Sequence, residues 1–423
     1  MRVLLTTYPE KTHFLAMAPL AWALRTAGHE VRVACQPKFA DVVTQAGLTA
    51  VPIGPDRDLW QLMTRDTNWF SVGLNGLPVP YDTTDWRPED VTYEYLRDGY
   101  RLHVTKWHKM SNVPMIPSLV EFARAWQPDL VIWEPSTYAG AIAAEAVGAA
   151  HARLLFSLDT FGVTRDHFTR LCPDGAEDPL KEWLAPAARK YGVEWSERLI
   201  TGEFTISLLP PSLRVEANLE YVPMRYVPYG GPAVLPDWLR TPPEKPRVAF
   251  TMGISIAESS GDMVDLADLF QELSDVDMEL VATIPERVQE KLGTVPDNVR
   301  MVSYVPLQAL VPTCTAVIHH AGYGTLATTA LQGKPQIIVP WNADGPALAK
   351  RVAAQGAGLA LHVHQASARG VLRNRLLRVL TEAKFTESAH RLRDEILAMP
   401  TPNEVADRLA ARVAGRRAVA EVS

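Results

Sequence analysis

The chain has few cysteines and no long apolar run. Its three cysteines, Cys35, Cys172 and Cys314, lie far apart. No Cys-X-X-Cys pair or Cys/His cluster occurs, so the sequence indicates neither a disulfide framework nor a zinc site, and a reducing compartment fits best. The opening run Met1–Thr7 is too short for a signal peptide, and no later stretch reaches about 18 uncharged apolar residues. We therefore expect a cytoplasmic protein without a membrane span.

The chain also lacks an excess of basic residues. Its 42 Lys and Arg against 48 Asp and Glu give a formal net charge of −6, so neither nucleic acid nor an anionic membrane is an expected partner. Hydrophobic residues make up 47% and charged residues 21%, both near globular averages. At roughly 100–200 residues per domain, the 423 residues predict two or three domains.

Strands and helices alternate in the first half of the chain. A strand is predicted at Arg2–Thr6, a helix at about Phe14–Ala27 and a strand at Glu30–Ala34. Gly28 lies just past the helix, where a left-handed C-cap position suits glycine. The alternation continues with helix Pro117–Trp126, strand Asp129–Glu134, helix Ala139–Val147 and strand Ala152–Phe156. Such βαβ units predict a parallel sheet with right-handed crossovers.

Two segments break this alternation. The aromatic-rich stretch Trp60–Pro114 has few clean periods and predicts long loops with short helices. It is either an insertion that carries binding function or a decorated surface. Pro210–Pro246 contains nine prolines, which remove backbone donors and fix φ. This stretch is therefore not sheet core, and we expect it to be the interdomain linker.

A second alternating region follows the prolines. Its predicted strands are Arg247–Thr251, Met278–Thr283, Val299–Val302, Ala316–His319, Gln336–Val339 and Gly358–Leu361. The expected fold class is α/β, with two Rossmann-like parallel-sheet domains that face each other across a cleft. The predicted division is an N-terminal domain at 1–212, a linker at 213–246, a C-terminal domain at 247–398 and a closing helix at 399–423 that packs back on the first domain. Ligands of such sheets bind beyond the carboxyl ends of the strands.

The sharpest motif is Ala316–Thr325, which reads AVIHHAGYGT. A buried strand ends in two histidines, and a turn with Gly322 and Gly324 then opens a helix. Free N–H groups and the dipole at a helix N-terminus favour an anion, and glycines let the backbone approach it closely. The Thr325 hydroxyl and the His320 imidazole can add donors to a diphosphate. The motif matches neither G-x-G-x-x-G nor a P-loop, which disfavours dinucleotides and ATP; an ordinary glycine turn is the alternative.

This motif resembles the HHGGxGT signature of glycosyltransferases with the GT-B fold. Segments such as Arg2–Gly28, Trp126–Pro135 and Pro306–Cys314 resemble actinobacterial enzymes that attach deoxysugars or aminodeoxysugars to macrolides and anthracyclines, the desosaminyltransferases among them. The resemblance covers essentially the whole chain. It implies a metal-independent hexosyltransferase of antibiotic biosynthesis. Its N-terminal domain would bind a polyketide-type aglycone and its C-terminal domain a dTDP-deoxysugar, which is a co-substrate rather than a cofactor.

The resemblance also assigns a nucleotide- and diphosphate-binding set. Its members are Gly253, Ser255, Tyr304, Val305, His320, Gly322, Gly324 and Thr325. Within it, His320 would contact the diphosphate. Tyr304 would stack on the nucleobase, whose edge the Val305 backbone would bind; the alternative for Tyr304 is a core aromatic.

The loop Pro340–Gly345 resembles the sugar-recognition loop of these enzymes. Asn342 and Asp344 are the candidate sugar-binding residues. Hexose-transferring relatives often carry glutamine where Gly345 stands. An unpartnered buried polar group costs about 1–3 kcal/mol, so a site for a sugar that lacks hydroxyls should shed polar side chains. The glycine favours a deoxysugar donor.

His13 is the candidate catalytic base. It is predicted in the loop ahead of the first long helix, where the helix N-terminus disfavours imidazolium and keeps the ring able to take a proton. Glu134 occupies the place of the family's aspartate partner and would orient the imidazole. A structural loop histidine is the alternative. Together with the turn at Gly322 and Gly324 (the anion turn), His13 predicts a single displacement with inversion.

Several further expectations complete the prediction. The DxD-like triplets Asp56–Asp58 and Asp275–Asp277 are interpreted as solvated turns rather than Mg²⁺ ligands, so no metal is expected. The resemblance implies a haem-free, cytochrome-like auxiliary activator protein, with Trp60–Pro114 as its docking surface, and is compatible with a homodimer. Two other functions stay open: a sugar-nucleotide epimerase of the same fold and a non-catalytic sugar-nucleotide-binding subunit. The segments Leu155–Asp159 and Thr205–Leu208 depart from the relatives, which leaves the acceptor open.

Overall fold

Two parallel sheets organise the molecule. The computed structural model describes residues 1–57, 76–251, 266–340, 343–366 and 368–422. The first sheet has seven strands in the order β3-β2-β1-β4-β5-β6-β7, all paired in parallel. These strands are β1 Arg2–Thr6, β2 Glu30–Cys35, β3 Ala50–Pro52, β4 Leu130–Trp133, β5 Ala150–Leu154, β6 Phe204–Ser207 and β7 Tyr221–Pro223.

The second sheet has six parallel strands in the order β10-β9-β8-β11-β12-β13. These strands are β8 Arg247–Thr251, β9 Glu279–Thr283, β10 Val299–Val302, β11 Ala316–His319, β12 Gln336–Ile338 and β13 Gly358–Ala360. The α/β fold class with two Rossmann-like parallel sheets, predicted from the sequence, is confirmed.

Helices connect the strands of both sheets. In the first half they are α1 Lys11–Thr26, α2 Ala40–Gln45, α3 Tyr93–His103, α4 Lys109–Asn112, α5 Ile116–Trp126, α6 Ala139–Glu145, α7 Thr160–Leu171, α8 Pro179–Arg189 and α9 Arg198–Thr201. In the second half they are α10 Leu266–Glu272, α11 Glu286–Leu292, α12 Leu307–Leu310, α13 Tyr323–Leu331, α14 Gly345–Ala354, α15 Val363–Ala366, α16 Val371–Thr381, α17 Ala383–Leu397 and α18 Pro402–Val422.

The central strands are buried on both faces because helices cover both sides of each sheet. Every residue of β4 and β5 is buried, as expected for parallel strands between helical layers. The proline-rich stretch nevertheless contributes β7, Tyr221–Pro223, to the first sheet. This strand pairs with β6 alone at the sheet edge, where a proline is tolerated.

The aromatic-rich segment is more helical than the sequence predicts. Its residues 58–75 lie outside the described part of the chain. Farther on, α3 continues through a π-helical turn at Val104–His108 into α4. Thr92 caps this run by accepting from the Tyr95 N–H. Leu96 and Val104 lie two four-residue steps apart and are both buried. They belong to an apolar stripe along one side of this run.

The two halves of the chain share packing surfaces. Helix α18 packs on α1, and its Val405 and Leu409 belong to the apolar core under the first sheet. Leu326 of α13 lies in one cluster with Leu158 and Leu209 from the first half. Across the described residues, no helix combines the length and apolar character that a membrane crossing needs.

Candidate active site

The candidate residues lie just after the strands at which the strand order of each sheet changes direction. In the first sheet the chain leaves β1 toward β2, while β4 lies on the other side of β1. In the second sheet β8 and β11 are neighbours in the same way. Ligands of open α/β sheets bind at such switch points, beyond the carboxyl ends of the strands. His13 and Glu134 follow β1 and β4, and His320 follows β11, so both halves of the site have the expected placement.

His13 lies inside the first turn of α1, so its predicted position in a loop ahead of the helix is wrong. Glu10 is the N-cap of α1, and its carboxylate accepts from the Thr12 N–H and hydroxyl at 3.4 and 3.1 Å. The His13 side chain is 19% exposed, and its Nδ1 lies 3.4 Å from Oε1 of Glu134. That separation is long for a hydrogen bond, as is common in catalytic pairs before substrate binds.

Glu134 is fully buried, yet its carboxylate is well partnered. Oε2 accepts from the hydroxyls of Ser136 at 2.7 Å and Thr137 at 2.8 Å, and Oε1 accepts from the Ser136 N–H at 3.1 Å. Burial acts to raise the pKa of Glu134, but His13 and these donors outweigh it and hold the pKa below its ordinary value. The carboxylate is therefore ionised at neutral pH and acts only as an acceptor.

A second histidine fixes the shape of the anion turn. Nδ1 of His319 accepts from the Ala321 N–H at 3.1 Å, so its Nε2 carries the hydrogen and donates to Oε1 of Gln336 at 2.7 Å. Burial lowers the pKa of His319 to about 3, and the ring is neutral. Ala321 has φ of 75°, a left-handed conformation that is strained for alanine. The His319 bonds hold that conformation in place.

His320 lies directly against the glycine that starts α13. A Cβ at Gly322 would overlap Nε2 of His320, so only glycine leaves room for the ring. Burial lowers the pKa of His320 to about 4, with a partial opposing effect from the Thr251 backbone. A neutral imidazole has a single N–H, for which the Thr251 backbone and a phosphate oxygen would compete.

The other predicted nucleotide residues occupy the same edge of the second sheet. Tyr304 follows β10 and is 48% exposed, whereas Val305 is buried. Gly324 is exposed in the first turn of α13. The Thr325 N–H already donates to the Gly322 carbonyl at 3.0 Å, which leaves the Thr325 hydroxyl as its candidate phosphate donor. The predicted residues Gly253 and Ser255 lie outside the described part of the chain.

Asp344 is the candidate sugar-binding residue of the second half that the structure describes. It precedes α14 and is half-buried. Burial raises the pKa of Asp344, and Ser157, the Leu158 backbone and the charge of His13 act in the opposite direction. These causes indicate that the Asp344 carboxylate lies near the loop after β5. Its predicted neighbour Asn342 lies outside the described residues.

The sequence matches a known family over most of its length. Residues 22–253 match the N-terminal domain of the erythromycin biosynthesis protein CIII-like family, and residues 267–412 match its C-terminal domain. The chain belongs to this family.

Named relatives agree with the family. The chain is 42% identical to 10-deoxymethynolide desosaminyltransferase from Streptomyces venezuelae, over 97% of this chain and 98% of the relative. It is 42% identical to aclacinomycin-T 2-deoxy-L-fucose transferase from Streptomyces galilaeus, over 96% of this chain and 94% of the relative. The crystal structure of the glycosyltransferase VinC in complex with dTDP superposes with a TM-score of 0.87 at 41% identity, covering 98% and 100%. This member of the CIII-like family is a glycosyltransferase with the GT-B fold, as the motif resemblance predicted.

Part of the glycosyltransferase site escaped the sequence prediction. Phe156 stacks on the His13 ring with centroids 3.5 Å apart and an interplanar angle of 11°. Asn112 holds the loop around Glu134, because its Nδ2 donates to the Ser136 carbonyl and its Oδ1 accepts from the Ala139 N–H, each at 2.9 Å. The only signal for Phe156 was that its segment departs from the family pattern.

The triplet Asp275–Asp277 has partners that fit its interpretation as a turn. Asp275 forms an ion pair with Arg373 at 2.7 Å, and Asp277 forms one with Lys245 at 2.8 Å.

Two tyrosines tie the anion turn of this glycosyltransferase to the first half. The Tyr323 hydroxyl, between the two glycines of the turn, donates to the Leu208 carbonyl at 3.1 Å. The Tyr226 hydroxyl lies 3.2 Å from both the Gly324 carbonyl and the Thr328 hydroxyl, and its ring packs edge-on against Tyr323. The position of the anion turn relative to the first sheet is therefore fixed by direct hydrogen bonds.

Proposed function

We propose that this glycosyltransferase moves a deoxysugar from dTDP to a hydroxyl of a polyketide-type aglycone, with inversion at the anomeric carbon. The observation that carries the proposal is the His13–Glu134 pair at one switch point, with the His320 turn at the switch point of the facing sheet. The names of the relatives support a deoxysugar and an antibiotic aglycone, and the VinC complex supports dTDP.

The acceptor is activated from the first half. Because the Glu134 carboxylate only accepts hydrogen bonds, Nδ1 of His13 carries the hydrogen that faces it. Nε2 is then the nitrogen that takes the proton from the acceptor hydroxyl. The acceptor oxygen attacks the anomeric carbon as its bond to the diphosphate breaks. One base and one anion site suffice, so no covalent intermediate is required.

The leaving diphosphate is stabilised from the second half. The neutral His320 imidazole donates to a diphosphate oxygen, and the N-terminus of α13 offers N–H groups and its dipole. Tyr304 supplies an exposed aromatic face for the thymine. Asp344 accepts from a sugar hydroxyl, and Gly253, Ser255 and Asn342 stay predicted contacts.

The space around Gly345 supports a sugar that lacks hydroxyls. A Cβ at this position would lie 3.3 Å from the Ala321 Cβ and 3.5 Å from the His320 carbonyl. A side chain at this position, such as the glutamine of hexose-transferring enzymes, would pack tightly against the anion turn and require Ala321 to shift by a few tenths of an ångström. Gly345 itself therefore offers no side-chain contact to a further sugar hydroxyl.

The test is turnover of a dTDP-deoxysugar with a macrolide or anthracycline aglycone, run with the purified chain alone and with an added haem-free auxiliary protein. His13→Ala should lower kcat by about 10²–10⁴-fold, because the general base is lost, and leave dTDP affinity unchanged. His362→Ala, at an exposed histidine, is the control. Near-normal turnover of His13→Ala would contradict His13 as base. Isomerised sugar nucleotide formed from donor alone would instead favour an epimerase, and NMR of the product reports inversion.

A further inference from the structure

We propose that Phe156 is a positioning residue that sets the plane of the His13 ring and stabilises the positive charge that the ring acquires as it takes the acceptor proton. The proposal rests on the proposed function, because it requires His13 to act as base. It is carried by the stacking geometry, with parallel rings 3.5 Å apart, and by the anchoring of the loop that holds Phe156.

The loop that carries Phe156 is short and held at its far end. It leaves β5 at Leu154, and Asp159 closes it by capping α7, accepting from the Gly162 N–H at 2.8 Å. The Arg153 guanidinium donates to both carboxylate oxygens of Asp159 at 2.9 and 2.7 Å, and both side chains are buried. The Tyr221 hydroxyl adds a third donor at 2.8 Å. Four residues between two fixed points leave the Phe156 ring little freedom to move.

Phe156 and Glu134 constrain His13 in complementary ways. Glu134 faces Nδ1 and sets the direction of that edge, while the phenyl ring covers one face and opposes rotation of the imidazole out of its plane. Together they leave the Nε2 edge for the acceptor. Phe156 is half-buried, and it packs against the apolar core under the first sheet.

The phenyl face also favours the charged form of His13. In the proposed step the O–H bond of the acceptor breaks, its proton passes to Nε2, and the ring becomes a cation. An aromatic face attracts a cation through its quadrupole. Among the described residues, the other titratable groups near the ring are Glu134, Asp344 and Tyr8, whose ring centroid lies 6.1 Å away. Phe156 stacks on one face of the imidazole.

Phe156→Leu removes the aromatic face and keeps an apolar side chain. We expect kcat to fall about 3- to 10-fold, which corresponds to the known worth of an aromatic pair, with unchanged donor KM. The acid limb of the pH–rate profile should move to lower pH, because the protonated ring loses a stabilising contact. Phe156→Trp should restore both properties. Phe122→Leu is the matched control, since Phe122 is also half-buried and stacks on Trp126, on α5.

A second measurement does not depend on activity. In selectively labelled protein, the His13 ring proton identified with His13→Ala should show an upfield ring-current shift that Phe156→Leu abolishes and Phe156→Trp retains. Absence of that shift in the parent chain, or a fall in kcat in Phe156→Leu without movement of the acid limb, overturns the proposal. If the stacking signature is present but no donor and acceptor pair turns over, the proposed function fails instead.

Discussion

The buried pair of Arg153 and Asp159 makes a sharp prediction about stability. Both side chains are essentially inaccessible, at 1% and 0% exposure, and they share two hydrogen bonds. Arg153 also donates to the Thr205 hydroxyl at 2.7 Å and to the Thr201 carbonyl at 3.0 Å. Arg153→Met keeps the length and apolar stem of the side chain but leaves a buried carboxylate without its cation.

The size of the effect follows from what Asp159 retains. Removing one partner of a buried ion pair costs about 3–5 kcal/mol of folding free energy. The Tyr221 hydroxyl and the Gly162 N–H still donate to the carboxylate, so we expect the lower end, about 3 kcal/mol. For a folding unit of this size, 1 kcal/mol shifts Tm by roughly 2–4 °C, which predicts a fall of about 6–12 °C.

Differential scanning calorimetry measures this shift, with Arg240→Met as the control. Arg240 pairs with Asp237 at 2.9 Å, but both side chains are exposed, so its loss should cost about 1 kcal/mol at most. The double variant Arg153→Met/Asp159→Asn should lose less than the sum of the two single variants, because no unpaired buried charge remains. A shift in Arg153→Met no larger than that in Arg240→Met would refute the reasoning.

Two further predictions concern the carboxylate and the anion turn. Because the pKa of Glu134 is held below its ordinary value of about 4.3, its charge stabilises the fold above that pH, and the contribution is lost as pH falls through the lowered pKa. Urea titrations should therefore show a smaller loss of stability between about pH 5 and pH 3 in Glu134→Gln than in the parent; parallel losses would contradict this. Gly322→Ala should displace His320 and weaken dTDP binding in calorimetric titration by about 10-fold or more, whereas Gly415→Ala, with open space around its Cβ position, should bind dTDP like the parent. Equal affinities would contradict the close fit of ring and glycine.

Local patterns carried most of the fold prediction. The strands Arg2–Thr6 and Val299–Val302 were placed to the residue, because each occupies its expected place in the alternation of strands and helices. Gly28 adopts φ of 86°, as its position after α1 predicted. Strands β3 and β7 were missed, since each has only three residues and ends in a proline, which argues against a strand.

The candidate site was likewise predicted only in part from local sequence. His320 and its glycines are contiguous in sequence, so their proximity could be predicted from the motif. Phe156 was not, because its place over His13 depends on Arg153, Asp159 and a tyrosine 62 residues beyond Asp159. Hydrogen bonds between residues so far apart in the chain leave no periodic pattern in the sequence. The helix start at Glu10 was missed for a related reason, since glutamate is an uncommon N-cap.

The hydrogen bonds from Tyr323 and Tyr226 across the halves bear on how family members can be recombined. A hybrid enzyme that joins the first half of one relative to the second half of another inherits these two tyrosines from different parents. If the Leu208 carbonyl or the Tyr226 hydroxyl is misplaced by the exchange, the loop proposed to bind the diphosphate shifts even though every residue of that loop is retained. Crossover designs that transplant these contacts as one unit are therefore the ones expected to keep donor binding.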